Sequence, residues 1–328
     1  MLALVCAAGV SIPMWLQYVP FAVSLVVLGL PHGAADHLVP AWLDRRQQSF
    51  SSIARVVCIY VVLAGTTLAL WAWSPSVASV AFVLLTWFHW GQGDLYVLLA
   101  VDNSQYLTTR WLRVLTVVVR GGLPMLVPLL FHSDAFRRVL TDTARLFDAS
   151  VGAPTLLDGN AIKYVLGGVF VAVIAASALA TWQRAGDRAS WRRDQMEVVV
   201  LFAFFAAVPP ILAVGLYFSL WHALRHFVRL DAIAEPPHRK HITYMIRACA
   251  PTTALALIFL GLFAFFVPNA TDTGGAALAI YLVLISTLTV PHVAVVTYMD
   301  YRQRVWIIDP PDILCASTST YGTNGRSQ

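Results

Sequence analysis

Nine histidines occur in the chain, at positions 32, 37, 89, 132, 222, 226, 238, 241 and 292, and several fall where an ionisable side chain is costly. Trp221-His222-Ala223-Leu224-Arg225-His226 spaces two imidazoles at i and i+4. That puts both rings on one helix face, a turn apart, where they can close on one metal ion. His89 lies deep in an apolar run, within Trp87-Phe88-His89-Trp90-Gly91-Gln92-Gly93-Asp94. A polar ring there must face the bundle interior and find a partner, so it is a functional residue by default. Pro31-His32-Gly33-Ala34-Ala35-Asp36-His37 ends the first apolar run, and on a helix His32 and Asp36 share a face. Pro291-His292 interrupts the last run. One buried histidine alone would be read as a structural residue bonded to a carbonyl. Four apolar segments that each deliver a histidine point instead to a metal held by imidazoles inside a bundle. His132, His238 and His241 lie beside charges in loops and are expected to face solvent or headgroups.

Ligand softness narrows the metal. The cysteines at 6, 58, 249 and 315 are far apart, with no Cys-x-x-Cys, so neither a disulfide framework nor a thiolate site is indicated. An all-imidazole set suits iron, zinc or copper, and structural zinc would need a closed four-ligand loop domain that is absent. Trp87, Phe88, Trp90, Phe218, Trp221 and Phe227 flank the histidines and predict a pocket for a long apolar substrate. A hydrocarbon offers little to hydrolysis but can be oxidised. Iron(II) with positions open to dioxygen fits that chemistry. Asp36 and Asp94 are expected behind the ligands, orienting their rings and offsetting the ion's charge.

The elements that position these residues follow from composition. Of 328 residues 59% are hydrophobic and 12% charged, with a mean hydropathy of +0.70. Soluble domains carry about 25% charged residues, which excludes a cytosolic enzyme, and the apolar content excludes disorder. A membrane span needs roughly 20 apolar residues, so the chain has room for seven or eight and for one domain only. The fold class is therefore all-α, a polytopic transmembrane bundle. Apolar runs with few charges place the spans at 15–30, 53–73, 77–100, 111–131, 161–182, 198–219, 245–267 and 276–298. Broken helices are expected near Pro31, Pro209-Pro210 and Pro291, and residues 211–230 can form a helix at membrane depth. Residues 1–312 form the helical domain and 313–328 a polar tail rich in Ser, Thr and Gly, expected to be disordered. The first charge is Asp36, so the start is read as a retained span and not a cleaved signal. The net charge of +5 sits in pairs such as Arg45-Arg46 and Arg192-Arg193 between apolar runs, as in loops near anionic headgroups. No nucleic-acid partner is expected. Both sides are basic, so sidedness stays open.

The segments 29–37 (GLPHGAADH), 88–94 (FHWGQGD), 221–226 (WHALRH) and 291–292 (PH) together resemble the Brp/Blh family of membrane β-carotene 15,15′-dioxygenases, which supply retinal to microbial rhodopsins. The resemblance runs from about residue 20 to 300, in the same order. It implies cleavage of the central double bond of β-carotene by dioxygen to two all-trans-retinal, at an iron(II) held by His32, His89, His222 and His226. His37 and His292 also match positions typical of the family and are expected in the pocket or behind the ligands. The implied setting is the plasma membrane, with β-carotene, dioxygen and lipid as partners and a rhodopsin as a functional link. A simple eight-span layout puts His32 and the pair His222 and His226 at opposite faces. A shared site therefore predicts a broken or re-entrant segment at 31–40.

Other readings fare worse. A retinal-binding receptor needs a lysine in the last helix, and the only lysines are Lys163 and Lys240. Other membrane histidine-metal oxidases and hydroxylases use adjacent histidine pairs, and none occurs here. A divalent-metal transporter would show several carboxylates in its spans and internal repeats; the spans hold a single carboxylate, Asp94, and no repeat is evident.

Overall fold

In a bilayer a backbone segment must satisfy its own hydrogen bonds, and an apolar chain of this length does so as helices. The structure, a computed structural model, describes residues 1–152, 160–234, 242–267 and 275–308. Every regular element among them is helical. In chain order they are α1 (Leu2–Ala7), α2 (Met14–Ser24), α3 (Gly29–Ala34), a 3-10 turn (Asp36–Leu38), α4 (Val39–Asp44), α5 (Phe50–Trp73), α6 (Pro75–Ala100) and α7 (Arg110–Phe131). There follow α8 (Ser133–Arg145), α9 (Asn160–Trp182), α10 (Arg188–Ala207), α11 (Pro210–Tyr217), a π-helical turn (Phe218–Ala223), α12 (Leu224–Ile233), α13 (Ile242–Phe266) and α14 (Ala276–Arg302). The expected tail, Cys315, His238 and His241 lie outside the described residues.

Seven stretches among the described residues are long and apolar enough to cross a membrane, which makes this a multi-pass membrane protein. Helices α5, α9 and α13 turn apolar side chains outward, including Val61, Tyr164 and Phe265, as lipid-facing helices do. Inside stand α6, α7, α14 and the α11–α12 segment, which carry the histidines or brace them. Side chains cap several outer ends: Ser49 accepts from the Ser52 amide ahead of α5, and Thr109 from that of Leu112 ahead of α7.

The α6–α7 contact is closed by glycine from both sides. A Cβ on Gly91 would lie 2.2 Å from the Val117 carbonyl oxygen, and one on Gly121 would lie 1.8 Å from that of Trp87. Small residues let membrane helices approach to backbone distance, and here they hold the His89 helix against its neighbour. The chain breaks where the site needs it. The first apolar stretch unwinds between α2 and α3 and again at the 3-10 turn, so residues 29–44 form short pieces instead of one rod. Pro209 and Pro210 separate α10 from α11, and α11 packs on α2. Pro291 does not act as expected, because α14 runs through it without interruption. A proline removes one backbone donor, and in a 27-residue helix held on many sides the remaining bonds carry the ladder.

Candidate metal centre

Five histidines from four separate stretches meet at one buried point: His32 of α3, His89 of α6, His222 of the π turn, His226 of α12 and His292 of α14. The His32 ring centroid lies 5.5 Å from His222, 5.6 Å from His226 and 4.9 Å from His292. His89 lies 4.7 Å from His222 and 4.9 Å from His292, and His226 lies 5.0 Å from His292. The segment at 31–40 thus brings His32 to the pair on the far stretch.

Hydrogen bonds at the outer nitrogens fix which ring atoms face inward. His32 Nδ1 donates to the Gly29 carbonyl. His292 Nδ1 donates to Asp36 Oδ2 at 2.7 Å. His89 Nδ1 lies 3.4 Å from Gln92 Oε1, an oxygen that can only accept. Each leaves Nε2 toward the centre. The Nε2 atoms of His89 and His222 are 3.1 Å apart, while those of His226 and His292 are buried and have no hydrogen-bond partner.

A buried polar atom without a partner costs about 1–3 kcal/mol, so two in one cluster call for something between them. One nitrogen each of His32, His89 and His292 lies within 4.8 Å of the others, as does one ligand atom each of Asp36, His226 and His292. The 3.1 Å between the His89 and His222 nitrogens is short enough for both to reach one ion, whose bonds to nitrogen are about 2 Å. The donor set is imidazole with a carboxylate behind it and no thiolate, which fits iron(II).

Asp36 is the organising carboxylate. Its Oδ2 also accepts from Tyr60 of α5 at 2.5 Å, and the side chain is buried. Local sequence gave no sign of Tyr60. Asp94 does something other than expected. Five residues after His89 it points about 140° around α6, where Trp221 Nε1 and Arg225 donate to its Oδ1 at 3.2 and 2.9 Å. Arg120 and Glu197 complete that ion network. Gln92 stands behind His89 instead, three residues on and so on the same face. Its amide donates to Asp300 at 2.8 Å, and Asp300 also takes Arg229 at 2.7 Å. The i+3 spacing could have flagged Gln92. The same i+3 spacing places Arg229 beside His226 on α12, whereas Asp300 lies two turns beyond His292 on α14 and had no local signal. His37 bonds to the Ala34 carbonyl at 3.0 Å and stays at the edge.

The histidines form the inner wall of an apolar cavity of about 400 Å³. His32, His89, His222 and His292 line it, with Asp36 and His37. On α6 and α14 the cavity follows residues that precede the histidines, such as Phe82 and Leu282, whereas the ion networks follow them. The site is therefore open to an oily space on one side and sealed by paired charges on the other. Of the aromatics flagged in the sequence, Trp90 and Phe218 line the cavity. Trp87 instead bonds through its indole to the Val118 carbonyl, and Phe88 is 37% exposed on the outer face. Trp221 stacks under Arg225, and Phe227 packs against the cluster around Trp42 and Val296. Neighbours of a histidine in sequence point about 100° away from it on a helix, so adjacency did not mean a shared wall.

The family profile described as β-carotene 15,15′-dioxygenase matches residues 23–300. The probable β-carotene 15,15′-dioxygenase Blh of Halobacterium salinarum is 41% identical, over 92% of this chain and 90% of its own. The probable β-carotene 15,15′-dioxygenase Brp of the same species is 29% identical over 92% of this chain and 88% of its own. The β-carotene 15,15′-dioxygenase of an uncultured marine bacterium is 22% identical, over 85% of this chain and 92% of its own. No solved structure matches the chain.

Proposed function

The chain belongs to the β-carotene 15,15′-dioxygenase family, and from that premise we propose that it splits the central double bond of β-carotene with dioxygen, giving two all-trans-retinal. The observation that carries this reading is the convergence of buried imidazoles on the inner wall of an apolar cavity. The residues that would hold iron(II) are His32, His89, His222 and His226. His292 is expected in the pocket or behind them, yet its Nε2 is unpartnered and its ring contacts three of the four, so it would join them in holding the ion. When bound, the iron supplies the redox chemistry that lets dioxygen react with a carbon–carbon double bond.

The protein's part is positioning, electrostatics and exclusion of water. Gly29, Gln92 and Asp36 hold the outer nitrogens of His32, His89 and His292, which fixes the tautomers and aims the inner nitrogens. The Asp36 carboxylate would offset part of the charge of an iron bound in this low-dielectric interior. Trp90 and Phe218 give the polyene flat apolar walls beside the histidines. Cleavage yields two aldehydes with no proton to transfer, and among the described residues the cavity wall offers no acid or base beyond the histidines, Asp36 and its partner Tyr60. The same reading puts the chain in the plasma membrane, its outer faces against lipid, and makes a rhodopsin the consumer of the product.

The test is expression in carotene-producing bacterial membranes, with and without His222→Ala, reading retinal by chromatography with mass detection and iron by elemental analysis. Retinal and iron in wild type, both lost in the variant, are expected. Iron-loaded wild type without retinal would overturn the substrate.

A further inference from the structure

Most of the cavity wall is buried or half-buried, but four of its residues are half or more exposed: Val57 (50%), Val61 (67%), Leu255 (53%) and Phe259 (56%). They lie on two helices only, α5 and α13. Each pair is spaced i, i+4, so each forms one vertical stripe a turn long. Both helices flank α14, one packing also on α6 and the other on α3. A side chain that touches the cavity and the exterior marks a wall one residue thick, and here both thin walls lie on helices that pack on α14.

The surroundings decide what such an opening admits. Val62, Ile258 and Leu262 make the nearby outer surface apolar, so the gap faces hydrocarbon and not water. Among the described residues, no other side chain of the cavity wall is exposed. The side chains of the amphipathic helix α8 that reach it are buried or half-buried, and the Asp94 and Asp300 ion networks close off the histidine end. We propose that the gap between α5 and α13 is the port through which the long polyene passes from the bilayer to the histidines, and that Val61 and Phe259 set its width. This rests on the function proposed above. A water-soluble substrate would have no use for a port that opens into lipid.

The experiment follows β-carotene association with purified protein under argon, by its absorbance shift, and retinal formation under air. It compares wild type, the double variant Val61→Trp/Phe259→Trp, and Ile59→Trp on the opposite face of α5. Narrowing the port should slow association at least about tenfold, with iron content and thermal unfolding unchanged, whereas Ile59→Trp should stay within about twofold of wild type. Val61→Ala/Phe259→Ala should associate as fast as wild type or faster. Equal association rates for the Trp double variant and wild type would overturn the port, even with retinal still made. Wild type that binds β-carotene but makes no retinal would sink the proposed function and leave the port standing.

Discussion

Asp36 offers the sharpest test of how the histidines are held. It is 1% exposed, and its Oδ2 takes both the His292 Nδ1 proton at 2.7 Å and the Tyr60 hydroxyl at 2.5 Å. Loss of such a partner behind a metal-binding histidine costs roughly 10–100-fold in metal affinity, or about 1.4–2.8 kcal/mol. Asp36→Asn keeps an amide oxygen that can accept from His292 and loses only the charge, so the lower end is expected. Asp36→Ala leaves Nδ1–H buried without an acceptor, which adds to the loss of charge and moves the effect to the upper end. The assay is competition for iron(II) against a chromogenic chelator under argon, with thermal unfolding as the control for fold. Affinity in the order wild type, Asn, Ala is the expected result. Iron binding by Asp36→Ala as tight as wild type would refute the idea that Asp36 aims His292 at the ion.

Other consequences test different parts of the structure. Gly121→Ala drives a methyl into the Trp87 backbone and should destabilise the protein by about 1–3 kcal/mol or prevent folding, whereas Gly93→Ala meets His222 at an ordinary 3.5 Å and should melt as wild type does; differential scanning fluorimetry separates them. Arg229→Met strands the buried Asp300 charge and should cost roughly 3–5 kcal/mol in denaturant unfolding, with Arg229→Met/Asp300→Leu recovering most of it. Chelation of the metal should abolish retinal formation, and iron(II) should restore it where zinc does not.

How far the sequence told this in advance depended on whether a contact was local. The His222–His226 spacing and the depth of His89 needed only the helical period. Bringing His32 to them required a break, foreseen from Pro31, but the structure places its first unwinding earlier, at 25–28. Gly29 shows why: a Cβ there would lie 2.7 Å from both Phe218 and Ser24, so α3 starts where the chain can pass closest to the π turn. That turn itself left no trace in the pattern, since an extra residue in a helix does not disturb an apolar run. Asp94, expected behind the ligands, belongs instead to an arginine network, because about 140° of helix separates it from His89. Tyr60 reaches the site from α5, which carries none of the histidines, and Arg229 and Asp300 from two different helices meet only through tertiary packing.

The central claim is tested most directly by one turnover measurement. Purified, iron(II)-loaded protein in detergent is given a known amount of β-carotene under air and under argon, and retinal is counted against substrate consumed. The account predicts two retinal per β-carotene under air and none under argon. Aldehydes of unequal length, or carotene consumed equally without dioxygen, would contradict it.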